Sequence, residues 1–340
     1  MENEIPERIQ RWLLDPEDPG ARYLALNSLY PGPVPNRDEE LRAAHQSGAI
    51  KEIMKAMHPD GYWVNDGPGY LPKYRSSAWS LILLSQLGAR CEADPRIELA
   101  CRHYLDQSYS PGGQISTNGT PSGTVDCLQG NILAALKALN YRDERLDPAY
   151  EWMARTTTGE GIAPQTARDA PNRYYAGKCG PDFQCGANNK LACAWGAVKV
   201  LLAFSKLASQ ERTPLIDRAI KRGVDFIFSA DPKDAAYPNG WNPKPSGNWW
   251  KFGYPVFYVT DILQICEVLS DLGFGDDPRL INALRLVEEK ANPDGSWSLE
   301  YHYQGKTWSD FGPLKSPNKY VTIRAYHALG RKLSLDASLS

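Results

Sequence analysis

Apolar residues recur at spacings of three and four along most of this chain. That is the period of helices, not the alternation of strands. Five segments are apolar over much of their circumference: RSSAWSLILLSQLG (75–88), TVDCLQGNILAALKAL (124–139), NKLACAWGAVKVLLAFSKL (189–207), VFYVTDILQICEVLSDLG (256–273) and NKYVTIRAYHALGRKL (318–333). A helix without a polar face belongs inside, covered by others. Between them run more amphipathic segments, clearest at 88–105, 139–154 and 272–287. Each opens on a polar turn with Asp or Pro, residues that cap or fit a first helical turn. Glycine-rich corners punctuate the series: DGYW (60–63), GGQI (112–115), GEGI (159–162), NGW (239–241) and DGSW (294–297).

With ERIQRWLL and ARYLALNSL as a first pair, the pattern predicts six helix pairs. The loops before the later inner helices are long, so the repeat lacks the fixed period of a solenoid. An all-α (α/α)6 toroid is the better expectation, one domain over residues 1–335 with a C-terminal tail at 336–340. A solenoid of stacked pairs is the alternative packing.

The DGYW and DGSW corners resemble those of the superfamily of squalene (terpenoid) cyclases and protein prenyltransferases, and the resemblance covers nearly the whole chain. It implies a toroid enclosing a cavity for an isoprenoid. The cyclase repeat has a Gln four residues before its Gly-x-Trp glycine, where this chain has Met57 and Ala291. The Asp-x-Asp-Asp motif of the proton-initiated cyclases is absent. The resemblance therefore implies an atypical small member and does not extend to that protonation chemistry. Prenyltransferase β subunits hold zinc through Asp-x-Cys at the start of an inner helix and a His in a later Tyr-His-Thr. This chain has Asp126-Cys127 without the intervening residue, and Tyr320-Val321-Thr322 without the His.

Composition narrows the partners. The 340 residues carry a formal net charge of −2, without the basic excess that nucleic-acid binding uses. The N-terminus, MENEIPERIQRWLL, has no basic start or apolar stretch of a signal peptide. The longest apolar run, AWSLILLSQLGA, is too short to span a bilayer. A cytoplasmic protein is expected, acting on a small molecule, and no obligate protein partner is called for. Seven cysteines, an odd number without an export signal, suit reduced thiols or metal ligands better than disulfides.

In a ring of helix pairs every inner helix begins at the same end, so the loops before them converge on one mouth. Those loops are basic although the chain is slightly acidic. They supply Arg75, Arg173, Lys178, Lys190, Lys251 and Lys319, with aromatics interleaved: Tyr174, Tyr175, Trp249, Trp250, Tyr254, Phe257, Tyr258, Tyr301 and Trp308. This suits a ligand with an anionic head and an apolar body. The bland reading is solvated loop charge and aromatics that cap the core.

Chemistry is expected at two places. Cys179, Cys185 and Cys193 lead into one inner helix and Cys127 stands at the start of another. Four thiolates meeting there would suit zinc, or alternatively an iron–sulfur cluster. Otherwise they are small buried residues. Candidate acids and bases are Asp126, Asp261 and Asp310, with Tyr258. Asp261, among Val, Ile and Leu, is expected to be desolvated with a raised pKa, unless it merely caps its helix. The histidines His45, His58, His103 and His327 show no ligand spacing. Three functions stay open: an enzyme on an apolar, anionic-headed and possibly isoprenoid substrate with a thiolate-bound metal; a glycosidase or polysaccharide lyase using Asp261 and Asp310; or a binding scaffold with a structural metal held by the four cysteines.

Overall fold

A computed structural model describes residues 4–174, 178–242 and 244–334. Tyr175 and the tail 336–340 lie outside the described residues. The architecture is all-α, an (α/α)6 toroid. The inner helices are α2 (Pro19–Leu29), α5 (Ser77–Gln86), α7 (Asp126–Ala138), α9 (Ala194–Ser205), α11 (Ile262–Asp271) and α13 (Lys319–Ala328). Around them lie α1 (Glu7–Leu13), α3 (Arg37–His45) with α4 (Gly48–Lys55), α6 (Pro95–Ser108), α8 (Leu146–Thr158), α10 (Pro214–Ile227) and α12 (Ile281–Glu289). Neighbouring inner helices pack α5 on α7, α7 on α9, α9 on α11, α11 on α13 and α13 on α2. The ring closes where Gly88, just past α5, meets Tyr23 and Leu24 of α2.

The two layers differ as their sequences require. In α5 every residue from Ser77 to Leu84 is buried. In α10 burial follows one stripe, Leu215, Ile216, Ala219, Ile220, Gly223, Val224 and Ile227, the spacing of a helix lying on a core. Asp18, Asp94 and Thr213 each accept a backbone N–H of the first turn, and each precedes a proline. The cap satisfies a donor that the helix leaves open, and the proline has none to lose.

The glycine corners are staples between layers. After α4, the indole of Trp63 donates to Ile53 O at 2.8 Å and its N–H is received by Ser77 Oγ at 3.2 Å. After α12, Trp297 does the same to Val287 O at 2.7 Å and Thr322 Oγ1 at 2.9 Å. In the third corner Ile115 replaces the Trp, and Gln129 of α7 receives its N–H at 3.3 Å while donating to Gly113 O and Ala149 O. Gly61, Gly113 and Gly295 have φ of 92°, 93° and 86°, a region closed to most side chains. The NGW segment departs from this scheme. Trp241 is 72 % exposed, and Trp249 instead donates to Pro232 O behind α10.

Two inner helices start later than the apolar pattern suggests. Residues 184–192 form a small hairpin, β1 (Gln184–Cys185) and β2 (Leu191–Ala192), so α9 begins at 194. Gly253 bridges to Tyr301, and α11 starts only where Asp261 caps it. Among the described residues no helix is long and apolar enough to cross a membrane.

Candidate functional site

All six inner helices line one cavity of about 500 Å³, a volume suited to a small molecule. Its wall carries Asn27 and Ser28 of α2, Gln86 of α5, Asn131 of α7, Lys206 just past α9, Gln264, Glu267 and Asp271 of α11, and Arg324 and His327 of α13. Apolar patches at Ile82, Ala134, Leu202, Val268 and Ile323 alternate with these. Tyr254 and Val256 line it from the loop before α11. Gln86 fixes that loop through two hydrogen bonds to Val256, at 2.7 and 2.8 Å, and its carbonyl receives the Tyr254 hydroxyl at 3.0 Å.

The charged groups facing the cavity form one connected set. Glu267 and Asp271 are four apart on α11, and Arg324 and His327 three apart on α13. Each pair therefore shares a helix face. Arg324 grips Glu267 at 2.7–3.2 Å and reaches Asp261 at 2.9 and 3.1 Å. Asp271 receives His327 Nε2 at 2.7 Å and Lys206 Nζ at 2.9 Å. Burial raises the pKa of Glu267, and the Arg324 guanidinium offsets that only in part. Burial pushes Asp271 the same way, but the His327 and Lys206 bonds overcome it and hold the carboxyl well below the usual range. Burial lowers His327, and its bond to Asp271 more than restores it, so the ring titrates above its ordinary value.

One acid of the pair is thus shifted up and the other down, the kind of split by which a proton donor and a proton acceptor are told apart. Behind the wall, Lys199 of α9 is fully buried and its ammonium donates to Gln264 Oε1. Burial lowers the amine to about 7. The bond makes the Gln264 oxygen the acceptor and leaves its amide N–H groups for other partners.

The acids expected from the sequence stand elsewhere. Asp261 is buried, as expected, but a raised pKa is the wrong direction for it. Burial does push it up. Arg324 and the N–H groups of Gly253 and Gln264, at 3.0 and 2.8 Å, together outweigh burial and lower it. It caps α11. Asp126, the first residue of α7, is buried and its pKa raised well above the ordinary value, by burial first and then by Cys185. Tyr258 packs on Trp79 and Tyr70 with Lys73 over its ring, and burial raises its phenol. Asp310 is exposed and receives Gly305 N–H at 3.3 Å.

Of the predicted substrate contacts, Tyr254 lines the cavity and the others do not. Arg75 donates to the carbonyls of Gly305 and Thr307 and lies over Trp308. Lys319 sits 3.2 Å from Asp18 and 3.7 Å from Asp15. The Trp250 indole donates to Lys233 O. Lys178, Lys190 and Lys251 are exposed, and Arg173 is bridged to Ala163.

No disulfide links any of the seven cysteines. Cys127, Cys185 and Cys193 are near enough to influence one another electrostatically. The Cys193 thiol donates to the Cys185 sulfur. That bond is the main cause holding Cys185 down to about 6, against its burial and with help from the Ala187 and Asn188 N–H groups. Burial pushes Cys127 up to about 12. Cys179 is buried beside them in sequence. A tetrahedral zinc needs four donors within about 2.3 Å of one point. Among the described residues no group of three or more His, Cys, Asp or Glu side chains is placed to hold a metal ion. As they stand, these thiols do not fit zinc or an iron–sulfur cluster.

Glu267, Asp271, Arg324 and His327 were not singled out from the sequence. A usable signal existed. EVLSD and RAYH put charges on one face, well past the first turn, of helices that are otherwise apolar and internal. A charge there has neither solvent nor a helix N-terminus to satisfy it.

No family model matches the chain, and no curated protein matches it in sequence. Among solved structures it is similar to the type II terpene cyclase MstE from Scytonema in its apo form, at 12% identity and a TM-score of 0.32, over 87% of this chain and 97% of that one. A likeness of that degree leaves the chemistry of this chain open.

Proposed function

We propose that this protein is an enzyme that uses general acid–base chemistry in the central cavity on a small, hydroxyl-rich molecule of the sugar class, cleaving a glycosidic C–O bond. The observation that carries the reading is Glu267 and Asp271, one helical turn apart on a cavity wall and shifted in opposite directions. Glu267, the carboxyl shifted upward, gives its proton to the departing oxygen while the ionised Asp271 meets the positive charge that develops at the sugar carbon. Water then bonds to that carbon and returns a proton to Glu267. Asn27 offers its amide for sugar hydroxyls, Asn131 its side-chain oxygen and Gln264 its side-chain N–H groups.

An isoprenoid diphosphate draws less support. Most cations at the cavity already have acids, Arg324 with Asp261 and Glu267, Lys206 with Asp271, and Lys137 with Glu211, whereas Arg90 donates to the Ala138 carbonyl. A diphosphate would have to displace them.

The test is turnover of a panel of 4-nitrophenyl glycosides, with reducing-sugar release from polysaccharides, by the wild type and by Glu267→Gln. The expected loss in kcat for that variant is about 10²–10⁴-fold, the usual worth of a positioned general acid, with KM little changed. A folded wild type inert toward every glycoside and polysaccharide overturns the sugar reading. A Glu267→Gln protein of undiminished kcat overturns the role of Glu267.

A further inference from the structure

The thiols that fail to form a metal site are arranged for something else. In the hairpin, Cys185 is opposite Leu191. Cys193, two residues beyond Leu191, falls on the same face of the ribbon as Cys185 and diagonal to it. Two backbone bonds hold this register, Lys190 N–H to Cys185 O and Cys193 N–H to Phe183 O, each 2.9 Å. The side chains meet, with the Cys193 thiol donating to the Cys185 sulfur, which also receives the N–H groups of Ala187 and Asn188. Donors converging on one sulfur stabilise it as thiolate, the form that attacks disulfides. Cys185 itself keeps 9 % of its surface exposed and Cys193 is half-buried, under a hairpin whose Gln184, Gly186, Ala187, Asn189, Lys190 and Leu191 are exposed, so a small disulfide reaches the pair at the hairpin edge.

We propose that Cys185 and Cys193 are a thiol–disulfide exchange site whose reaction partner is a low-molecular-weight disulfide of the glutathione class. The Cys185 thiolate attacks one sulfur of the small disulfide, forming a mixed disulfide and expelling one thiolate. Cys193 gives up its proton to that departing thiolate. Its sulfur then attacks Cys185 Sγ, forming the 185–193 disulfide and expelling the second thiolate, which takes a proton from water. Two protein thiols are oxidised and one small disulfide is reduced to two thiols. The Cys185–Cys193 bond would tie the hairpin to the first residue before α9, the helix that carries Lys199 and Lys206.

The experiment equilibrates the reduced full-length protein with oxidised glutathione over a range of reduced glutathione, quenches in acid, alkylates and maps peptides by mass spectrometry. Metal is measured on the same preparation. Two of the seven thiols should disappear, in a peptide pair joining Cys185 to Cys193. Cys101 and Cys266, fully buried, should remain alkylatable after unfolding. Cys193→Ser should stop at glutathione on Cys185, and Cys185→Ser should give neither product. The wild-type map needs no variant to fold, and circular dichroism checks the variants. Retention of all seven thiols in excess oxidised glutathione overturns the proposal, as does a bond to Cys127 or Cys179. Stoichiometric zinc that shields the four thiols from alkylation overturns it in favour of the metal.

Discussion

Asp261 and Glu267 share one guanidinium and are shifted in opposite directions. Both are on or at the start of α11, and both are bonded to Arg324. Asp261 has 4 % of its side chain exposed and Glu267 18 %. Exposure alone would make Asp261 the more readily neutralised of the two. The reverse holds, because Asp261 also receives the N–H groups of Gly253 and Gln264, whereas Glu267 has Arg324 and only a weaker, through-space pull from His327. The charge of Asp261 itself adds to the rise in Glu267. What decides the state of a buried carboxyl is how many fixed donors point at its charged form, weighed against the charge of its neighbours.

The most severe way to break this arrangement is to remove the shared cation. Arg324→Met leaves two buried carboxyls facing each other, and removing one partner of a buried ion pair costs about 3–5 kcal/mol. Urea unfolding should show a midpoint far below that of the wild type. The triple change Arg324→Met with Asp261→Asn and Glu267→Gln removes the charges together and should recover a large part of that loss. An Arg324→Met protein as stable as the wild type would mean that the guanidinium does not carry the network.

Single changes should separate the two acids. Asp261→Asn removes a charge that four donors are arranged to receive, at a cost of about 2–3 kcal/mol, the scale of a hydrogen bond to a charged group. Glu267→Gln replaces a carboxyl already biased toward neutrality and should cost less than about 1 kcal/mol, while abolishing turnover. Equal losses from the two changes would remove the distinction between a structural acid and a reactive one.

The pH dependence follows with a definite sign. Asp261 is lowered in the folded state, so its contribution is present above the unfolded carboxyl value and is lost as pH falls through the folded value. Glu267 is raised, so its contribution is present below the unfolded value and is lost as pH rises through the folded one. Thermal unfolding from pH 3 to 9 should show Asp261→Asn flattening the acid side. Glu267→Gln should instead relieve a loss on the rising side, and the proposed glycosidase activity should fall over that same rise as the proton donor is titrated away. An activity that climbs through it would assign Glu267 as base.

How far the chain reveals this beforehand depends on whether the information is local. The layers, the caps at Asp18, Asp94 and Thr213, and the staples at Trp63 and Trp297 are legible because each rests on a few adjacent residues and a period. The lowering of Asp261 is not, because Arg324 lies 63 positions away and nothing in either segment names the other. Apolar flanks correctly imply burial, but burial gives only the first of the opposing effects. The thiols fail for the same reason in a different form. Spacing brings Cys185 and Cys193 into one loop, but only the hairpin register, set by Asn189 and Lys190 at φ of 54° and 65°, turns them toward each other instead of toward an ion.

Asp271 provides the finest test, because its side chain is as exposed as that of Glu267, 19 % against 18 %, yet it is held down. The difference is His327 and Lys206. His327 is raised in the folded state, so its stabilisation is full below the unfolded histidine value of about 6.5 and fades as pH climbs through the folded value. His327 is about a third exposed, so solvent screens the pair and the gain should stay within about 1 kcal/mol. His327→Gln should therefore lower the thermal midpoint at pH 6 by a small, measurable amount and converge on the wild type by pH 9. In that variant Lys206 alone must hold Asp271, which shifts Asp271 upward toward the behaviour of Glu267. Carbon-detected NMR titration of the two carboxyls would read this directly. If the gap between Asp271 and Glu267 narrows, donor count sets it. If the gap is unchanged with His327 removed, the cavity wall around each carboxyl sets it, and the assignment of acid and base would then have to rest on Lys206.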